Sequence, residues 1–421
     1  MNLLSSTLVT AKSPTRFKRL TIQNWKQFGN LEINFHEQLT ILTGVNGAGK
    51  TTILNLLAQH FGWETNELAT PAKDLKSGLI RFFTRFFKSS PNDSNNVIGN
   101  LEYQNKHISQ LSVPDTNRPS YRVKIENKQK VNGFNIHYQR PVFRYAEVKD
   151  LTNERRTFRN AFDLLIKSSI SSKEGMLSIN EKNNPNFYIK ETILIWSRDV
   201  TGEKYLKGYE KVLYKILPTS LGFKKLEIRS NEIVVITSSG DFMIEAVSGG
   251  ISTLIYLSWT IYLISIDNRF SNSILIDEAE THLHASMQRE LLPNLIEAFP
   301  KIQFIVSTHS PLIIGSVKES YVFALKYCDE PEGKRKITSE LLNLENMSKT
   351  ATEIFHEVLG VSFTMPIWIE KSLNEIVNRY STIDLNKNSF QEMRKDLSQL
   401  GLENLMPIAM EKVLDQNDKN N

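Results

Sequence analysis

The chain has 421 residues, 40% of them hydrophobic and 23% charged. That length holds two or three domains, and that balance excludes global disorder. The formal net charge of +5 permits a nucleic-acid partner without requiring one, and the single cysteine, Cys328, excludes a disulfide framework or a cysteine-rich zinc site. No apolar run reaches membrane-spanning length, and the N-terminus lacks the charged-then-apolar pattern of a secretory signal. A cytoplasmic chain without membrane contact is expected.

In chain order, Phe17 to Ile22 and Leu31 to Phe35 alternate apolar and polar residues about a turn at Gly29, which reads as a hairpin-like pair. Leu39 to Thr43 is a compact apolar strand running into Gly44. Thr51 to Phe61 follows, with Ile53, Leu54, Leu56 and Leu57 on a helical period. From about Trp63 to Gln139 the chain is polar and reads as an insertion or lateral sheet, with hairpins around Asn105-Lys106 and Asn127-Lys128. This stretch includes the basic–aromatic run Arg81 to Lys88. It suits either a nucleic-acid surface or an amphipathic helix with Phe82, Phe83, Phe86 and Phe87 packed inward.

Helical pieces are expected at Asn160 to Lys167, Asn186 to Trp196 and Tyr205 to Leu217, and no sustained heptad repeat supports a coiled-coil arm. Strands return at Leu226 to Ile228 and Ile233 to Thr237. Then come an apolar helix (Leu254 to Ile266), a buried strand (Ile274 to Ile276), a helix (Gln288 to Phe299) and a second buried strand (Phe304 to Val306). Alternating strands and helices imply an α/β fold, a parallel or mixed sheet covered by helices. Beyond about Asn343 the pattern is mostly helical, with helices expected at Ile354 to Leu359 and Ile367 to Tyr380.

The stretch Gly44-Val45-Asn46-Gly47-Ala48-Gly49-Lys50-Thr51-Thr52 contains a full phosphate-binding loop between a strand and a helix. Its glycines let the backbone wrap so that N–H groups and the helix N-terminus face phosphate, with Lys50 reaching the outer phosphates and Thr51 a Mg²⁺ ion. Ser273 to Glu278 is a strand that delivers two acids at its end: Asp277 for the metal and Glu278 to polarise a water. Phe304 to Pro311 repeats the design with His309, a candidate γ-phosphate sensor. Val247-Ser248-Gly249-Gly250 opens a helix and offers a second anion site. Because the chain already has one phosphate loop, that site suits the nucleotide of a partner subunit.

This order of motifs, with Leu283-His284 and Thr308-His309-Ser310-Pro311, resembles the ABC-type ATPase heads of the RecF/SMC branch and the OLD-like and Septu-like antiviral ATPases. The stretch from Lys50 to Ser248 is about twice that of a compact transporter head. The resemblance covers residues 15–325. It implies an ATP- and Mg²⁺-dependent hydrolase that dimerises face to face, or forms a larger homo-oligomer, with Ser248, Gly249 and Gly250 acting in trans. It also implies a dimer-contacting loop at Leu283-His284-Ala285, a metal- and water-touching glutamine at Gln139, and a nucleotide-approaching segment at Asn24 to Phe28, with Lys26 where an arginine is common. Three positions depart from the pattern: Ile251 in place of an acid or glutamine, and Ala279 and Ala285 in place of prolines. These departures suggest slow hydrolysis.

The expected organisation is an N-terminal ATPase lobe (1–145), a helical and strand insertion (146–240), a C-terminal ATPase lobe (241–330) and a helical interaction region (331–421). After His309 there is no Asp-x-Asp acid pair of a topoisomerase–primase nuclease, and the histidines form no His-Asn-His constellation. A linked effector, a nuclease or toxin, is therefore expected on a separate chain, in an antiviral system for which this chain is sensor or switch. DNA or RNA is a further candidate partner. The alternatives are a RecF-like DNA-repair ATPase and a scaffold with structural ATP.

Overall fold

A computed structural model describes residues 14–73, 78–84, 96–116, 118–141, 143–148, 157–164, 185–266, 272–330, 334–342, 367–381, 387–407, 409–410 and 412–414. β1 (Phe17–Trp25) and β2 (Phe28–Asn34) form the first hairpin, with Phe17, Leu20, Ile22 and Trp25 turned inward. β3 (Leu39–Gly44), buried at every residue, runs through a tight loop into α1 (Lys50–Ala58). Then come β4 (Glu67–Leu68) and the ribbon of β5 (Thr70–Lys73) with β6 (Ile80–Phe83). β7 (Val97–Tyr103) and β8 (Ile108–Ser112) make the lateral hairpin. β9 (Ser120–Tyr121) pairs with β4, β10 (Lys124–Ile125) pairs with β8, and β11 (Asn132–Ile136) crosses to the far side of the sheet.

Two helices follow, α2 (Pro185–Trp196) and α3 (Val200–Ile216). A small antiparallel sheet of β12 (Phe223–Arg229), β13 (Glu232–Thr237) and β14 (Asp241–Met243) comes next. The chain returns to the core as α4 (Gly249–Ser265), β15 (Asn272–Ile276), α5 (Ala285–Ala298), β16 (Ile302–Ser307), α6 (Pro311–Ile314), β17 (Tyr321–Glu330) and β18 (Lys334–Leu341). α4 is apolar on nearly every side and is accordingly buried almost throughout, against Tyr209 and Trp196 among others.

The main sheet has eleven strands in the order β10-β8-β7-β1-β2-β18-β17-β3-β16-β15-β11. Its β17-β3-β16-β15-β11 half is parallel, and β3, β15 and β16 are buried at every residue, as strands covered on both faces must be. Parallel pairing has one consequence for function. The carboxyl ends of β3, β15, β16 and β11 open on the same sheet edge, where such folds bind ligands.

Three expectations change. The chain does turn at Asn127 (φ +53°), but β10 pairs back onto β8 while β11 pairs with β15, so no hairpin forms there. Arg81 to Phe83 is strand rather than amphipathic helix, paired with Thr70 to Lys73; residues 85–88 lie outside the described residues. The hairpin of β17 and β18 was not expected, and it joins the two halves of the sheet. Of the expected helices, Asn160 to Lys167 is helical over 158–164, and Ile354 to Leu359 lies outside the described residues.

The chain divides into two compact units, Met1–Ala351 and Thr352–Asn421. In the second, α7 (Ile367–Tyr380) and α8 (Lys387–Gln399) enclose a core of their own that includes Leu373, Ile376, Val377, Met393 and Leu397. Among the described residues no helix is long and apolar enough to cross a membrane.

Candidate functional site

The phosphate loop closes at the end of β3. Gly44 (φ +140°) and Gly49 (φ +83°) hold backbone conformations that side chains rarely adopt, and added Cβ atoms would lie 2.4 Å from Leu325 O and 2.3 Å from Phe28 Cζ. Both approaches require glycine. Phe28 opens β2 just after the β1–β2 turn, whose Gln27 side chain donates to Gly47 O, and the Tyr327 hydroxyl lies 3.2 Å from Gln27 Oε1. The segment Asn24 to Phe28, expected to approach the nucleotide, lies against the phosphate loop through Gln27 and Phe28. Lys26 is held by Glu67 and lies 5.4 Å from the Trp25 ring.

Within the loop, Asn46 and Gly47 are exposed, Ala48 is buried with its N–H on Val45 O at 3.2 Å, and Thr52 sits half-buried in the first turn of α1. Lys50 Nζ donates to Gly44 O at 3.0 Å and Val45 O at 3.1 Å. Burial brings its pKa down to about 8, against the opposing pull of Asp277, Glu280 and Glu278.

The two acids arrive from β15. Thr51 Oγ1 lies 3.0 and 3.2 Å from the Asp277 carboxylate oxygens, and Ser307 Oγ donates to Asp277 Oδ1 at 2.5 Å. A hydroxyl and a carboxylate side by side are hard oxygen donors of the kind Mg²⁺ takes from a protein while keeping waters and phosphates as its other ligands. Among the described residues no group of three or more His, Cys, Asp or Glu side chains is placed to hold a metal ion.

Glu278 follows with φ +46°, unusual for a residue with a side chain, and its N–H donates to Ser307 Oγ at 2.8 Å. Burial, then the charges of Asp277 and Glu280, raise its pKa above the ordinary carboxylate range. A half-buried carboxylate of raised basicity is suited to accept a proton from water.

Arg140 explains how this backbone is held. Its guanidinium, buried to 5% exposure, donates to the carbonyls of Asp277 (3.2 Å), Glu278 (2.8 Å), Ala279 (3.3 Å) and Thr281 (3.0 Å). Burial lowers its pKa to about 10, still well above neutrality. Ala279, where proline is common in resembling chains, donates its N–H to Ser307 O at 3.0 Å, a bond a proline lacks.

His309 stands at the end of β16. Glu280 accepts from the His309 N–H at 2.6 Å and from Thr308 Oγ1 at 2.7 Å, so one carboxylate joins the loop after β15 to the loop after β16. Burial, then the Lys50 charge, lowers the imidazole pKa and so favours the neutral ring. Arg140 and Glu280 went unremarked in the sequence. The signal for Glu280 was its place two residues after the acid pair.

A family model described as an AAA domain matches residues 19–227, and one described as an AAA ATPase domain matches 166–314. Between them they take in the phosphate loop, both acids and His309. The chain is an ATPase. Its architecture is that of an ABC-type ATPase head: a phosphate loop after β3, a Ser-Gly-Gly helix start, and an acid pair and a histidine on neighbouring parallel strands.

The ATPase is 23% identical over 405 residues to the Septu protein PtuA of Bacillus thuringiensis, covering 90% of this chain and 96% of that one. It is 22% identical over 423 residues to the Retron Ec83 probable ATPase of Escherichia coli, covering 80% and 76%. Among solved structures, an SMC head bound to the C-winged helix domain of ScpA aligns with a TM-score of 0.41 at 17% identity, covering 78% and 98%.

The remaining sequence candidates of the ATPase fall outside this cluster. Ser248 is exposed, caps α4 with its backbone, and has no side-chain capping bond. Gly249 is open, with nothing within 4 Å of an added Cβ, while Gly250 packs near His282 O and Met287. Among the described hydrogen bonds none joins Ser248–Gly250 to the phosphate loop of the same chain. Ile251 is buried, so its departure from the family pattern removes no exposed contact.

His284 caps α5 through Ser286 N, and Ala285 is the first helical residue, where proline and alanine are both tolerated. Gln139 lies at the carboxyl end of β11, exposed, with its N–H 3.5 Å from His137 Nδ1.

Proposed function

We propose that the ATPase binds ATP with Mg²⁺, pairs with a second copy through the nucleotide, and acts as the sensor or switch of a multi-component antiviral system whose effector is a separate chain. The observation that carries the two-copy reading is the split site. Lys50, Thr51, Asp277, Glu278 and His309 converge on one sheet edge, whereas Ser248 is exposed with no side-chain capping bond and a Cβ added at Gly249 would meet nothing within 4 Å among the described residues. The defence role is supported by the Septu and retron relatives, and the separate effector by the motif content of the sequence.

In this reading the loop N–H groups and Lys50 bind the phosphates, and Thr51 and Asp277 hold the metal, with Gln139 at the rim. The bound ion supplies charge neutralisation for the phosphates. Glu278, held by Arg140 and Ser307, orients water and takes its proton. His309, neutral and fixed by Glu280, hydrogen-bonds the outer phosphate. Ser248 to Gly250 of the second copy close the site from across the interface. Hydrolysis is slow, so that the ATP-bound pair persists long enough to signal.

The test is phosphate release with Glu278→Gln as the inactive comparison, together with native co-purification. Turnover lost in Glu278→Gln, and a stoichiometric nuclease or toxin partner, support the reading. A chain that purifies alone and binds gapped DNA tightly with ATP supports the repair alternative.

A further inference from the structure

A buried cluster of charge lies outside the nucleotide site. Lys190, on α2, has a side chain 2% exposed; its ammonium reaches Glu232, Glu245 at 2.7 Å and the carbonyl of Ala146 at 3.0 Å. The Tyr145 ring lies 4.9 Å from the same ammonium, and its hydroxyl donates to Glu232 Oε1 at 3.3 Å.

These partners come from three parts of the fold. Ala146 lies on the segment that follows Arg140, the clamp on the acid-pair loop. Glu232 opens β13. Glu245 sits in the 3-10 turn Ile244–Ala246, directly before Val247 and Ser248. The Glu245 side chain is 6% exposed, and the partner shown for it among the described residues is the Lys190 ammonium at 2.7 Å, which anchors it. A buried ion cluster adds little stability over well-packed apolar side chains, but it fixes direction and register, which apolar contacts do less well.

We propose that Lys190 is a positioning residue for the ATPase reaction: through Glu245 it sets the turn that presents Ser248, Gly249 and Gly250 to the nucleotide of the second copy. This inference rests on the two-copy site proposed above. Through Ala146 the same ammonium ties that turn to the segment leaving Arg140, so the half-site offered to the partner is held in register with the chain's own acid pair.

The test uses the full chain with Glu278→Gln as parent, which holds ATP without turning it over. Glu245→Gln keeps the Lys190–Glu232 pair and removes the charge on the turn directly before Val247 and Ser248. Binding of a fluorescent ATP analogue to the dilute chain is expected within about twofold of the parent, while ATP-driven dimerisation weakens by about tenfold or more. Lys190→Arg, which keeps the cation, is expected to retain most of the dimerisation. The combined Lys190→Met, Glu232→Gln, Glu245→Gln variant removes all the charges, avoids leaving one unpaired, and is expected to fold yet dimerise poorly.

Dimerisation of Glu245→Gln as tight as the parent's, or nucleotide binding lost in the same proportion, would overturn the inference. If the parent itself stays monomeric in ATP, the two-copy reading fails and this inference falls with it. If the parent dimerises and Glu245→Gln matches it, only this inference fails.

Discussion

Arg140 offers the sharpest prediction about how the catalytic backbone is held. Its four bonds to carbonyls of residues 277–281 span 2.8 to 3.3 Å, and the two shortest go to Glu278 and Thr281. Hydrogen bonds to a charged group contribute about 1.5–3 kcal/mol each, so those two alone set a scale of about 3–6 kcal/mol. Water entering the space in Arg140→Ala recovers part of that, leaving a loss of about 3–5 kcal/mol, in the range for breaking a buried charged contact.

For a unit of this size, Met1–Ala351, that loss lowers the melting temperature by about 4–7 °C. The catalytic effect follows from the same bonds. Glu278 sits at φ +46°, which costs about 1–2 kcal/mol for a residue with a side chain, and Arg140 holds its carbonyl there. Released, the backbone relaxes, and turnover is expected to fall by about tenfold or more. Arg140→Lys keeps the charge but not the fork, and is expected to land between Ala and wild type. Calorimetry and a phosphate-release assay on the three proteins measure both effects. An Arg140→Ala protein that melts within about 2 °C of wild type and turns over normally would refute the argument.

Further expectations concern the phosphate loop and the second unit. Lys50, lowered by burial to about 8, is an ammonium below that pH and loses its proton as pH rises through it, so nucleotide affinity of the free chain should fall above pH 8, approaching about tenfold per unit. Stability without nucleotide moves the other way over that window, because the unfolded chain still holds the proton. A titration of nucleotide affinity that stays flat from pH 7 to about 9.5 would contradict this assignment. Gly49→Ala places a methyl 2.3 Å from Phe28 Cζ at φ +83° and should abolish nucleotide binding. Gly249→Ala meets nothing within 4 Å, so it should melt as wild type and lose only ATP-driven pairing. Deleting residues 343–421 should leave ATP binding intact while removing effector binding; retained co-purification of the effector would count against it.

The grouping of the candidate nucleotide-site residues was largely legible because its signals are local. A glycine spacing, a strand that ends in two acids and a strand that ends in histidine are each written in fewer than ten consecutive residues, and the fold only had to bring three parallel strand ends together. What the sequence hid was non-local. Arg140 matters because β11 pairs with β15, more than a hundred residues away, which lays its guanidinium under carbonyls 277–281.

Lys190 reads as one more charge on a helix until Glu232 and Glu245 close over it. The hairpin of β17 and β18 was missed because its paired lysines and acids, such as Lys326 with Glu340, sit on an exposed face and blur the apolar alternation. Asn127 shows the converse. The turn was read correctly and its partner strand wrongly, because turn chemistry is local and pairing is not.

The central claim, that each nucleotide site is completed by a second copy, is tested most directly by turnover per chain as a function of chain concentration. With saturating ATP and Mg²⁺, the specific rate should rise with concentration as pairs form, and Glu278→Gln should be inactive throughout. A specific rate independent of concentration down to the point where the chain is monomeric, or hydrolysis persisting in Glu278→Gln, would contradict it.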